Sequence, residues 1–183
     1  MNFAAGRPDM IRAINQRWLL NFWKRSLGTH KMPPWELVET EDLSRFSANI
    51  SHFEVSAEGR YIIRNHGAMI ARVYGKLDCR GKHLDEVIPP DRYAAASAAY
   101  QHTVQTACPT YTIHDVPDSA GRVVHFERLL LPFSTDGQSV DRILASFEFV
   151  CLDGAYDSNE LMKTQPGGPV LRLSATIERT AMT

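Results

Sequence analysis

The chain has 183 residues, 44% of them hydrophobic and 22% charged, a composition typical of a globular protein with one domain and its extensions. The formal net charge is -1, so no overall basic field favours binding to nucleic acid. No stretch approaches the roughly 18 consecutive apolar residues of a membrane span, and residues 1–7 lack the apolar core of a secretory signal, so we expect a cytoplasmic protein.

The cysteine pattern argues against both a disulfide framework and a structural zinc site. The chain has three cysteines, an odd number: Cys79, Cys108 and Cys151. They are widely spaced and include no Cys-x-x-Cys pair. The histidines also lack a metal-ligand spacing such as His-x-x-x-His. We therefore expect reduced thiols and no bound metal.

Residues 1–40 are predicted to form an N-terminal helical extension. Residues 9–27 form its amphipathic helix, and Gly28 follows where a left-handed stop is expected. The apolar side chains recur at helical spacing: Ile11, Ile14, Trp18, Leu19, Leu20, Phe22 and Trp23. The segment is basic, so the helix is suited to an anionic membrane or a partner, but packing on its own domain or on the same helix of a second copy is favoured.

Residues 41–152 are predicted to form the main domain. A short helix is predicted to start at residues 39–42 and to carry Leu43 and Phe46. It is followed by strands at 50–55 and 60–64 joined across Gly59, helices at 66–74, 82–87 and 91–106, and a strand at 111–116. In this order two strands come first, several helices follow, and the remaining strands come last, so strands and helices do not alternate. Such an order is typical of an α+β domain rather than a doubly wound sheet.

Residues 122–150 are predicted to form an antiparallel hairpin at the centre of the sheet. Two runs rich in Val, Leu, Ile and Phe are separated by residues 134–138, in which Asp136-Gly137 provides the positive backbone dihedral of a tight reversal. In the second run the apolar residues alternate with more polar ones, which indicates one face turned towards a core. With the three earlier strands, the hairpin predicts a five-stranded antiparallel sheet with helices on one face.

Residues 153–183 form a predicted C-terminal tail. Apolar residues from 171 to 177 alternate with polar ones, a pattern suited to a strand added to a sheet edge, in this domain or in another copy. A disordered tail fits the composition equally well.

Several segments of the main domain match the motifs of a known family. They are residues 64–68, 74–76, 81–86, 128–133 and 136–137, together with the helix end at 23–25 and the Met32-Pro33 step. The sequence here resembles a PAS-like domain family of alphaproteobacterial type over residues 18–150. Lys82 stands where that family usually has arginine and Phe133 where it has leucine. The resemblance implies a PAS-like fold that binds a small molecule or cofactor between sheet and helices and passes a change to a partner.

The candidate pocket residues are aromatic walls with polar anchors: Tyr61, Arg64, Tyr74, Tyr93, Arg128 and Phe147. A flavin adduct at Cys79 is disfavoured, because the following residues do not continue the motif of flavin-binding light sensors. Haem held by His83 or His102 is also disfavoured, because both predicted helices carry neighbouring polar residues that face solvent. We therefore expect no chromophore.

The favoured hypothesis is a stand-alone, non-enzymatic sensory or regulatory domain that binds a small apolar ligand and acts through a signalling partner or a homodimer. Trp18, Phe22 and Trp23 are the candidate dimer contacts. The alternative is a small cone-shaped α+β enzyme that uses Asp115, His125 and Glu127 as acid-base residues. A haem-binding sensor is the third hypothesis.

Overall fold

One mixed sheet forms the centre of the computed structural model, which describes residues 1–75, 78–163 and 168–179. Its strands are β1 (Ala4–Gly6), β2 (Ile50–Val55), β3 (Tyr61–His66), β4 (Thr110–Pro117), β5 (Val123–Phe133), β6 (Arg142–Cys151) and β7 (Val170–Ile177). The helices are α1 (Ile14–Leu27), α2 (Glu36–Thr40), α3 (Ala68–Val73), α4 (Leu84–Val87) and α5 (Pro90–Thr106). Among the described residues, no helix is long and apolar enough to cross a membrane.

The strands lie in the order β1-β7-β4-β5-β6-β2-β3, so the β5–β6 hairpin is central, as the sequence predicts. All neighbours are antiparallel except β1 and β7, which run parallel. The predicted count of five strands is wrong, because the sheet has seven. The alternating segment of the tail forms β7 beside β4, and β1 is too short to show a strand pattern in the sequence.

The prediction that helices cover one face of the sheet is also wrong, because both faces are covered. Leu129, Leu131 and Phe133 of β5 belong to the same buried cluster as the apolar residues of α1. Phe126 and Leu130, which alternate with them, belong to the cluster that includes residues of α3, α4 and α5. The central strand is therefore buried on both faces, and its alternation separates two cores.

Helix α1 begins later than the sequence predicts, because Pro8–Met10 forms a separate 3-10 turn. Two buried side chains join the helix to the sheet backbone. The indole Nε1 of Trp23 donates to the carbonyl oxygen of Pro132 at 2.6 Å. Gln16 Nε2 donates to the carbonyls of Glu127 at 3.2 Å and Ser146 at 3.1 Å, which lie on the two central strands. Gly28 ends the helix with a φ of +45°, as expected for a stop.

The turn into α3 depends on a glycine. A Cβ atom at Gly67 would lie 2.2 Å from the carbonyl oxygen of Ala48, a distance that real structures do not tolerate. The same carbonyl accepts a hydrogen bond from the amide of Met69 at 2.9 Å. Close packing of backbone on backbone therefore places the start of α3 against residues 47–48, just before β2.

The burial of α1 generates the first prediction. Phe22 is 4% exposed and packs in the α1 core, whereas Trp18 is half-buried beneath the Arg45 guanidinium, 4.5 Å from its ring. Phe22→Ala should lower the free energy of unfolding by about 3–5 kcal/mol, because it leaves a cavity. Trp18→Ala should cost clearly less. Urea unfolding followed by circular dichroism measures both changes.

A second measurement separates packing within the chain from packing between copies. Light scattering should give the same molar mass for Phe22→Ala and the unchanged protein under native conditions. If Phe22→Ala instead kept its stability while the mass fell, α1 would pack on a second copy and not on its own sheet.

Candidate functional site

A cavity of about 470 Å³ lies between the sheet and α3, α4 and α5. Its walls are mostly apolar. On the sheet side it is lined by Phe53, Phe126 and Phe147, and on the helix side by Ile70, Leu84, Ala95 and Ala96. Small alanine side chains on α5 face large rings on the sheet, so the two layers leave space between them. A volume of this size is within the range of small-molecule sites.

The most unusual group in this cavity is Arg128, which is only 5% exposed. Its Nε donates to Thr112 Oγ1 at 3.3 Å and its Nη1 to the Ala96 carbonyl at 3.1 Å. The guanidinium carbon lies 5.1 Å from the centre of the Tyr100 ring. Over the described residues, Nη2 is buried without a hydrogen-bond partner and no carboxylate oxygen lies within 4.0 Å of the guanidinium.

Two further polar side chains of the cavity wall have unpaired buried atoms. His114, on the strand beside Arg128, has a buried Nδ1 with no partner in the described part of the chain. Burial, reinforced by the charge of Arg128, lowers the pKa of His114 to about 3, so its ring is neutral near pH 7. Ser51 is 1% exposed, and its Oγ is likewise unpaired among these residues. Such groups are costly to bury without partners.

Charged side chains lie towards the segment that follows β6. Asp91, Arg92 and Lys163 line this part of the cavity. The carboxylate of Asp91 is 74% exposed and 4.0 Å from Arg92, so it faces solvent and not the interior. Arg92 also donates to the carbonyl of Met162 at 3.3 Å, which ties the start of α5 to this segment.

Three of the six predicted pocket residues line the cavity: Tyr74, Arg128 and Phe147. Tyr61 lies against Tyr100, with 5.3 Å between ring centres, outside the lining set. Arg64 pairs with Glu54 at 2.9 Å beside a different depression, which also contains Trp35. Tyr93 is partly buried on α5 and also lies outside the lining set. A ligand at these positions stays a prediction.

Sequence reasoning missed His114 and Ser51 as pocket residues. What places them on the cavity wall is the register in which their strands pair with the neighbouring strands. His114 is paired with Phe126, and Ser51 is paired with Ala145 on β6. Register alone places these polar side chains on the cavity face, and it cannot be read from the residue pattern of a single strand.

The candidate dimer contacts are divided between core and surface. Phe22 and Trp23 are buried against the sheet of their own chain, at 4% and 0% exposure. Trp18 is only partly buried: the Arg45 guanidinium lies over its ring, and Phe46 packs against it with 4.9 Å between ring centres. Dimerisation through α1 therefore stays a prediction, and in this conformation only Trp18 of the three offers a surface to a second copy.

The candidate chromophore residues lie in different places. Cys79 lines the cavity, and burial raises the pKa of its thiol. His83 and His102 are outside the lining set, and the His102 ring stacks on Phe3 with 3.9 Å between centres. Within the described ranges, no group of three or more His, Cys, Asp and Glu side chains is arranged to hold a metal ion. The expectation of no haem or flavin stays a prediction.

The acid-base residues of the enzyme hypothesis lie on the other side of the sheet. His125 Nδ1 is 2.9 Å from Asp115 Oδ1, and Arg172 Nε donates to Asp115 Oδ2 at 2.5 Å. Glu127 is buried under α1, where its Oε2 accepts a hydrogen bond from Tyr111 at 2.6 Å. None of these side chains lines the cavity, so the arrangement does not bring the three together around a substrate space.

The neutral His114 predicts a pH dependence of stability. An unfolded chain protonates this histidine below about pH 6.5, whereas the folded protein does not until about pH 3. Unfolding therefore takes up a proton in that window, and stability falls as the pH falls. His114→Gln should remove about 1.4 kcal/mol of the stability loss between pH 7.5 and pH 5.5. Urea titrations at both pH values measure this difference.

His30→Gln is the matched control, because His30 is exposed on the loop after α1. It should leave the pH dependence close to that of the unchanged protein. An equal loss in the His114→Gln variant and the unchanged protein would contradict a neutral, buried His114.

The fold agrees with the comparison against known families. A family model described as PAS domain matches residues 11–148, which is most of the chain and includes α1 through β6. A search of curated proteins found no match. PAS domains are in general non-enzymatic sensory modules, and they often mediate interactions between proteins. This chain belongs to the PAS domain family.

Proposed function

We propose that this PAS domain is a sensory module that binds a small, largely apolar molecule in the cavity between the sheet and α3, α4 and α5. The observation that supports the proposal is the cavity itself, about 470 Å³ with aromatic and aliphatic walls. Burial of apolar ligand surface against these walls provides the main driving force for binding.

Occupancy is communicated to α1 through the central hairpin. Phe126 and Arg128 face the cavity, while the carbonyl of Glu127, between them, accepts the hydrogen bond from Gln16 of α1. If ligand binding shifts β5, the Glu127 carbonyl that accepts the hydrogen bond from Gln16 moves with the strand. Because Gln16 also bonds to Ser146 of β6, α1 responds to the relative position of both central strands.

The output of the module is association with a second copy through the outer face of α1. Ile14 is 80% exposed, and Trp18 lies one helical turn further along the same face. An exposed isoleucine beside a half-exposed tryptophan is suited to an isologous contact. The residues that fix α1 to the sheet point the other way, so the contact does not require the helix to detach.

Cavity binding is tested with N-phenyl-1-naphthylamine, a neutral apolar probe whose fluorescence rises in apolar surroundings. The unchanged protein should bind it saturably at one site. Ala96→Phe, which places a ring in the cavity, should weaken binding at least about tenfold, as expected when a pocket is filled. Ala94→Phe is the matched control, because Ala94 is exposed on the same helix.

The control should bind the probe as the unchanged protein does. Equal binding by both alanine variants, or binding that does not saturate, would show that the probe does not enter this cavity. The ligand-binding proposal would then fall.

Association is tested with Trp18→Glu. We expect a monomer by light scattering where the unchanged protein is a dimer, with little change in thermal unfolding, because Trp18 is not part of the fully buried core. Asn21→Glu, an exposed position on the same helix, is the charge-matched control and should remain dimeric. An unchanged mass for Trp18→Glu would place the contact elsewhere or rule out a dimer.

A further inference from the structure

We propose that the molecule bound in this cavity carries a single carboxylate, which pairs with Arg128 at the sheet while its apolar body lies against the aromatic wall. This inference deepens the proposed function and rests on it. The chemical class is an aliphatic or aromatic monocarboxylate.

The charge balance inside the cavity is the first argument. An arginine stays charged across the pH range in which proteins are folded, and an unpaired buried charge is strongly unfavourable. Arg128 is 5% exposed, and within the described residues no acidic side chain lies within 4.0 Å of it. Glu127, the neighbour of Arg128 in the chain, bonds to Tyr111 on the opposite face of the sheet. Asp91, an acidic residue of the cavity lining, is 74% exposed beside Arg92.

The orientation of the guanidinium is the second argument. Thr112 and the Ala96 carbonyl hold Nε and Nη1, and the Tyr100 ring lies 5.1 Å from the guanidinium carbon. The Tyr100 hydroxyl also interacts with the Arg128 side chain, but Nη2, with two N–H donors, has no carboxylate acceptor in the described chain. An arginine fixed in this way presents its remaining donors without further loss of side-chain entropy, which favours a carboxylate oxygen as the acceptor.

The neutral groups around Arg128 set the charge of the ligand. His114 and Ser51 line the same cavity with unpaired buried atoms, and neither adds charge near pH 7. One buried cation balances one carboxylate. The other cations of the lining, Arg92 and Lys163, lie towards the segment that follows β6. A second negative charge placed beside Phe126 and Phe147 would therefore lack a counter-charge there, which is unfavourable in so apolar a space.

The test compares two ligands of similar shape, 4-phenylbutyrate and 4-phenylbutan-1-ol, as competitors of N-phenyl-1-naphthylamine at pH 7.5. The acid should displace the probe about 10- to 100-fold more effectively than the alcohol, as expected for a charge-assisted hydrogen bond. In Arg128→Met, which keeps most of the side-chain volume, the preference should fall to less than about threefold. Arg64→Met, at an arginine outside the cavity, is the control and should keep the full preference.

The outcomes separate the two proposals. If the probe binds and the acid and alcohol compete equally in the unchanged protein, the carboxylate inference is wrong while the apolar cavity site stands. If neither the probe nor either competitor binds, both proposals are wrong. Probe binding by Arg128→Met reports that its cavity is intact.

A second measurement on the unchanged protein does not depend on that variant. The affinity of the unchanged protein for 4-phenylbutyrate should fall, relative to its affinity for the alcohol, as the pH is lowered from 7.5 to about 4.5 and the carboxylate takes up a proton, because only the ionised acid pairs with Arg128. The alcohol serves as the control for any general effect of pH on the cavity. A ratio of the two affinities that does not change over this range would overturn the inference.

Discussion

Burial of β5 on both faces is the constraint on which the rest of the structure depends. A strand of eleven residues that is apolar on both sides requires a cover on each face, because its exposed side chains would otherwise meet water. Helix α1 covers one face and α5, with the short helices before it, covers the other. The N-terminal helix is thus a part of the core and not an appendage to it.

The two covers differ in the size of their side chains, and this difference explains the cavity beneath α5. Helix α1 presents Leu19, Leu20 and Trp23, all at most 1% exposed, and these fill the space between the helix and the sheet. Helix α5 presents Ala95 and Ala96 to the cavity instead. Side chains without volume beyond Cβ cannot close the gap to Phe126 and Phe147, so close packing is interrupted beneath α5.

Much of the fold could be predicted from the sequence because its strongest patterns are local. The central hairpin is an example: the alternation after residue 142 and the Asp136-Gly137 turn are visible without any long-range information. Strand β2 has the predicted bounds for the same reason. The packing of α1 on the second face of the sheet could not be predicted. The pattern of an amphipathic helix indicates that one side of it is buried, but not the surface against which it packs.

The site was predictable only in part, because its groups meet through register. Arg128 attracts notice as an arginine in an apolar strand, and aromatic neighbours such as Phe147 are expected in a pocket wall. Whether His114 faces the cavity depends on which residues of β5 its strand aligns with, and a shift of one residue reverses the answer. His114 and Ser51, which have unpaired buried atoms, can be recognised as cavity residues only when the pairing of their strands is known.

The position of β7 also affects how the chain reaches this state. Strand β1 pairs with β7 and with no other strand among the described residues, so Ala4 finds its place only beside Ala175. Nearly the whole chain separates these partners, which makes this one of the contacts of highest sequence separation in the fold. Closing so long a loop has an entropic cost that nearby contacts do not have. We therefore expect the first strand to join the sheet last, after the hairpin and β4 have formed the surface on which β7 assembles.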